Sequence, residues 1–154
     1  MESRIGLISD THGLLRPEAS AALAGADLIL HAGDVGAAEV LVELERIAPV
    51  RAVRGNVDRG TWARRLPGSD EVHAGGARIY VIHSLEDLAL DPAEAGFAAV
   101  VSGHSHQPSI ETREGVLFVN PGAAGPRRFH LPITVGLLRV SDGAVSAEIV
   151  PLFR

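Results

Sequence analysis

Five short apolar runs, each ending beside a residue able to hold a metal, constrain this chain more than any other feature. Arg4–Ser9 runs into Asp10-Thr11-His12, and Asp27–Ala32 runs into Gly33-Asp34. Val50–Arg54 leads to Gly55-Asn56, Arg78–Ile82 to His83, and Ala98–Ser102 to Gly103-His104-Ser105-His106. Runs of this length and β-branched content, alternating with helical patterns, predict the buried strands of an α/β sheet. Ligands of such sheets bind beyond the carboxyl ends of the strands. Donors far apart in the chain are therefore expected to converge on one spot. They are imidazoles, carboxylates and one carboxamide, with no thiolate, because the chain has no cysteine. That excludes disulfides, thiolate zinc sites and iron–sulfur clusters.

The remaining pattern fills in the architecture. Leu14–Ala24 reads as a helix with Pro17 in its first turn and Gly25 as its stop. A second helix is expected over Ala37–Ala48, with Val40, Leu41, Leu44 and Ile47 on one stripe, and a third over Leu85–Ala95. Thr61–Glu71 carries little of either periodicity and reads as irregular or as a short excursion. Ser109–Arg113 and Val116–Val119 flank Glu114-Gly115, and Thr134–Val140 and Ala144–Val150 flank Ser141-Asp142-Gly143; both are hairpin signals. Parallel strand–helix units followed by antiparallel hairpins predict an α/β fold of two mixed sheets face to face, with helices outside. The 154 residues suit one domain, 1–154. A net charge of −5 argues against a nucleic-acid polymer as partner. No apolar stretch approaches the roughly 18 residues of a membrane span, and signal-peptide features are lacking, so a cytoplasmic protein without membrane attachment is expected. Homo-oligomerisation is left open.

Each motif alone has an ordinary reading as a turn, a cap or a satisfied histidine. Jointly, Asp10, His12, Asp34, Asn56, His83, His104 and His106 are too many donors for one tetrahedral zinc. They suit two ions sharing a bridging carboxylate, for which Asp34 is the natural choice. Two divalent ions about 3.5–4 Å apart form a clamp for in-line displacement at phosphorus. Their charge outweighs that of Asp10 and Asp34, so the site would attract a phosphate and acidify a bridging water into a nucleophilic hydroxide.

The ordered set Asp10-x-His12, Gly33-Asp34, Gly55-Asn56, His83 and Gly103-His104-x-His106 resembles the calcineurin-like metallophosphoesterase superfamily. His31-Ala32-Gly33-Asp34, Gly55-Asn56-Val57-Asp58 and Asn120-Pro121-Gly122 are similar to its small YfcE-type phosphodiesterase branch. The resemblance implies a four-layer α/β/β/α sandwich with a dinuclear centre. It would place Asp10, His12, Asp34 and His106 on one ion, and Asp34, Asn56, His83 and His104 on the other. Mn²⁺ is the expected ion, with Fe, Ni, Zn or Mg as alternatives, since these donors do not discriminate by softness. Asp34, Asn56 and His104 are the expected catalytic residues, and the substrate is expected to be a small phosphate diester.

Departures from the family pattern refine this reading. Val57 stands where many phosphomonoesterases have histidine, so no imidazole can protonate a leaving group there and poor leaving groups should react slowly. The YfcE-type branch commonly lacks this histidine too, so the resemblance favours diesters. A phosphomonoesterase or pyrophosphatase of the same fold is the alternative enzyme. A non-catalytic scaffold like the retromer sorting subunit is the alternative of another class. Ser84 replaces a common glycine and would be strained at positive φ. Asp58 is read as orienting a ligand histidine, with a surface aspartate as the alternative, and His31 as a supporting residue behind the ligands. Arg127 and Arg128 are candidates to clamp a phosphate oxygen, a solvated basic turn being the preferred reading. Within 58–74, Trp62, Arg64 and Arg65 are candidates to stack on or steer a nucleotide, with ordinary loop packing as the alternative.

Overall fold

The structure, a computed structural model, describes residues 2–153. Its first sheet has the order β10-β9-β1-β2-β3, formed by Ala144–Pro151, Thr134–Ser141, Glu2–Ile8, Leu28–His31 and Val50–Ala52. The second has the order β4-β5-β6-β8-β7, formed by Ser69–Ala74, Ala77–Ile82, Ala99–Val101, Val116–Asn120 and Ser109–Arg113. The strands β1, β2 and β3 are parallel, as are β5, β6 and β8, and antiparallel strands complete both sheets. All five expected strands and both expected hairpins form.

Strand alternation divides the core. Ile5, Leu7, Leu30 and Ala32 face the second sheet, where Ile79, Val81, Ala99, Val101 and Val119 meet them. Ile8 and Ile29 point the other way, against Ala19, Leu23, Val40 and Leu44 of the helical layer. Burial on both faces explains why β1 and β2 read as continuous apolar runs. Gly6 permits close helix packing, because a Cβ there would lie 2.7 Å from Leu23 Cδ2.

Helices are shorter than their patterns. The first, α1, covers Pro17–Ala22, because a residue preceding proline is disfavoured in the helical region and Arg16 is extended. The second, α2, covers Ala38–Glu45 and tightens over its last turn, with Ile47 N–H donating to Leu44 O, before Pro49. A four-residue helix α3 spans Thr61–Arg64.

Two expectations are corrected. The segment Thr61–Glu71 contains α3 and the first half of β4, which pairs with β5 across Gly75-Gly76. The glycine pair was a hairpin signal, but β4 buries only Val72 and so lacks an apolar pattern. The helix expected over Leu85–Ala95 is instead a 3₁₀ turn, Leu85–Asp87, and one helical turn over 91–96. Pro92 breaks the run, and Asp91 caps the short turn through Oδ1 to the N–H of Ala93. The outer layer on the second sheet is correspondingly thin: Ala93 covers a cluster containing Ile82, Val100 and Val116. Among the described residues no helix is long and apolar enough to cross a membrane.

Candidate metal centre

The carboxyl ends of β1, β2, β3, β5 and β6 open onto one edge of the sandwich, and backbone bonds between their loops hold the edge together. Asp10 N–H donates to Gly33 O (3.0 Å), His12 N–H to Asp34 O (2.9 Å) and Gly13 N–H to Val35 O (2.7 Å). On the second sheet Gly103 N–H donates to His83 O (2.9 Å). The sheets are tied where His104 N–H donates to Asp10 Oδ2 (3.1 Å). These approaches need glycine: a Cβ on Gly55 would lie 2.2 Å from Asp34 N, and one on Gly103 would lie 2.0 Å from Ser9 Oγ.

Two overlapping triads result, Asp10–His12–His106 and Asp10–Asp34–His83, with ligand atoms in each within 4.8 Å of one another. Asp34 Oδ2 faces both sides of the group, 3.7 Å from His12 Nε2 and 3.2 Å from His83 Nε2. Asp10 Oδ1 lies 3.4 Å from His106 Nε2, 3.9 Å from His12 Nε2 and 4.0 Å from His83 Nε2. His104 is exposed and its ring stands edge-on to that of His83, centroids 5.2 Å apart. Asn56 is exposed and shares with His83 the wall of a cavity of about 620 Å³.

The donor set fits divalent ions. Among the described residues Asp10 Oδ1, His12 Nε2 and His83 Nε2 are buried without a hydrogen-bond partner, although buried polar atoms are almost always paired. His83 makes the case sharpest. Its Nδ1 lies 2.7 Å from Ala32 O, an acceptor only, so that nitrogen carries the proton. In the neutral ring Nε2 then turns a lone pair toward two carboxylates, an arrangement that a cation between them would reconcile.

Electrostatics grade the carboxylates. Burial opposes ionisation of Asp34, but the His83 side chain, the Val57 N–H at 3.0 Å from Oδ1 and the charge of His12 outweigh it and hold the carboxyl well below the usual range. Burial raises Asp10, partly offset by the Ser9 hydroxyl donating to Oδ2 at 2.7 Å. For His83, burial is outweighed by Asp34 and Ala32 O, which raise it, whereas burial lowers His106. His31 is fully buried: Gly33 N–H donates to its Nδ1 (3.1 Å) and Nε2 meets Thr11 Oγ1 (3.0 Å). Burial pushes its pKa down to about 3, so it is a neutral strut behind the loops.

Other expected residues fall differently. Asp58 holds no histidine: its carboxylate accepts from the N–H groups of Val35, Gly36 and Gly55, bracing the loops that carry Asp34 and Asn56. Arg127 is exposed and makes no hydrogen bond or ion pair among the described residues, as the preferred reading of a solvated basic turn has it, while the charge of Arg128 reaches His106. Trp62 packs against the helical-layer core, the ordinary reading. Ser84 is unstrained, extended at φ −122°. In the sequence Asn120 stands out only as part of Asn120-Pro121-Gly122, with no role attached. Its Nδ2 donates to Gly103 O (3.0 Å) and Ser105 Oγ (3.1 Å), and its Oδ1 accepts from Gly122 N–H (2.9 Å), pinning the loop that carries His104 and His106.

Fold and site together define a protein of the metal-dependent phosphoesterase class. The chain belongs to the calcineurin-like phosphoesterase superfamily, whose domain model matches residues 3–143. It is 37% identical over 158 residues to a probable metallophosphoesterase of Methanothermobacter thermautotrophicus, covering 95% of this chain and 91% of that protein. A structure described as a novel archaeal phosphodiesterase superposes with a TM-score of 0.79 at 22% identity, covering 96% of this chain and 99% of that one. Vacuolar Protein Sorting 29 from Cryptosporidium parvum has the same fold, with a TM-score of 0.79 at 20% identity and 96% of each chain covered.

Proposed function

We propose that this protein is a phosphodiesterase that hydrolyses small phosphate diesters in the cytoplasm by direct attack of water, with two divalent ions at the strand tips and Mn²⁺ as the preferred metal. Asp10, His12, Asp34 and His106 would hold one ion, and Asp34, Asn56, His83 and His104 the other. The observation that carries this reading is the set of partnerless buried atoms, Asp10 Oδ1, His12 Nε2 and His83 Nε2, supplied by both sheets and aimed at one another. When bound, the ions supply the positive charge that draws in a phosphate and acidifies the attacking water.

The chain's own groups do the rest. Asp34, ionised well below neutral pH, presents Oδ2 to donors on both sides and is suited to the shared position. Ala32 O fixes the His83 tautomer, and Ser9 with the His104 N–H fixes Asp10. The exposed His104 ring at the mouth can contact a phosphate oxygen. Val57, 46% exposed beside Asn56, offers no proton to a departing alkoxide. Esters with good leaving groups are therefore favoured, and the YfcE-type pattern Gly55-Asn56-Val57-Asp58 supports diesters over monoesters.

The test is Mn²⁺-dependent cleavage of bis(4-nitrophenyl) phosphate against 4-nitrophenyl phosphate. Diester hydrolysis should exceed that of the monoester, and Asn56→Ala and His104→Ala should each lower it by about a hundredfold or more. Absence of cleavage with Mn²⁺, Ni²⁺ and Fe²⁺ alike would instead favour a non-catalytic scaffold.

A further inference from the structure

The loop that leaves Asn56 builds a second feature, which the hydrolytic centre does not use. Arg54, Asp58, Arg59, Gly60, Ala63 and Arg64 line a cavity of about 310 Å³. Arg54 also lines the cavity of about 620 Å³ that reaches Asn56 and His83, so one residue belongs to both walls. Its Nη1 donates to Leu66 O at 3.0 Å, which fixes the head group in place. Among the described residues Arg59 and Arg64 make no ion pair, so no acid of the chain neutralises either guanidinium. Asp58, the one acid in the wall, is 5% exposed and already accepts three backbone N–H bonds. Three arginines thus line the cavity beside one carboxylate that is already occupied, in a chain whose net charge is −5. Guanidinium forks match phosphate oxygens.

We propose that this basic cavity is a distal anion site. It takes a second phosphate carried on one ester arm of the substrate, while the larger cavity holds the organic part of that arm. The larger cavity is within the size range of small-molecule sites, about 300–1,000 Å³, and Tyr80, set edge-on against Phe97, gives its wall an aromatic surface. The substrate class is then a diester of a nucleoside bisphosphate. This rests on the phosphodiesterase reading above for which phosphate is cleaved, but not for whether the second phosphate is bound.

The experiment compares thymidine 5′-(4-nitrophenyl phosphate) with its 3′-phosphorylated derivative on the Mn²⁺-loaded protein. The derivative should have a kcat/KM about tenfold higher or more, chiefly through KM, with the advantage shrinking as salt is added. In Arg59→Ala/Arg64→Ala the ratio of the two substrates should fall to about one, and in Arg59→Lys/Arg64→Lys most of it should survive. Calorimetry reads the same comparison without turnover. Thymidine 3′,5′-bisphosphate should bind more tightly than thymidine 5′-phosphate, and only in proteins that keep the cationic pair. A ratio of one in the unmodified protein, or one that persists in the alanine pair, overturns the proposal. A binding preference without hydrolysis of either ester would sustain the anion site and overturn the phosphodiesterase reading.

Discussion

Asp10, His12, Asp34, His104 and His106 all adopt positive φ, between 46° and 72°, and so make up five of the eight non-glycine residues of that kind among those described. Each such residue costs on the order of 1 kcal/mol. Cross-loop bonds to Gly33 O and Asp34 O, and from His104 N–H to Asp10, hold some of them there. The donors themselves were legible in the sequence, because each sits at the end of an apolar run and carries visible chemistry. The role of Asp58 was not, since two of its three partners are backbone N–H groups on the Asp34 loop, far off in the chain, and nothing in the spelling of Asn56-Val57-Asp58 distinguishes an acceptor for backbone from one for imidazole. His31 yields a pH prediction at this scale. Folded, its pKa is about 3, against 6.5 for an ordinary histidine. Above pH 6.5 neither state binds the proton, so its contribution to stability is constant. Below it the unfolded chain takes up a proton that the fold refuses, so stability falls with falling pH until about 3. Urea unfolding of chelated protein at pH 7 and pH 5 should show a loss of about 2 kcal/mol from this group. The His31→Gln variant should show a correspondingly shallower slope.

Strands were readable where burial on both faces made their runs continuous, as in β1 and β2, or where a turn marked a hairpin. Ser69–Ala74 was missed because an edge strand that buries Val72 alone leaves no alternation to detect. Leu85–Ala95 was overread because helix-compatible composition outweighed Pro92, and the capping Asp91 starts a new turn instead of continuing one. The elements that matter for the site are loops held by other loops. Asn120, at the end of β8, bonds Gly103, Ser105 and Gly122. Asn120→Ala should therefore release the 103–106 loop, costing about 2 kcal/mol or more in chemical denaturation because Gly103 O and Gly122 N–H lose this partner. Metal titration of the same variant should show at least about tenfold weaker affinity.

The proposed ligands are divided between the two halves of the molecule: Asp10, His12, Asp34 and Asn56 follow strands of the first sheet, and His83, His104 and His106 follow strands of the second. Ions held by both should add to the direct bonds there, from His104 N–H to Asp10 and from His83 to Ala32 O, in joining the two sheets. Removing metal with a chelator should then lower the melting temperature by about 5 °C or more in calorimetry, with recovery on adding Mn²⁺. An unchanged melting temperature would contradict ligation across the sheets. Linkage of this kind is reciprocal. Whatever grip an ion lends to the contact between the sheets, that contact lends back to the ion. Apolar residues deep between the sheets, such as Leu138 where it pairs with Ile5, thereby become remote determinants of how tightly the metal is kept.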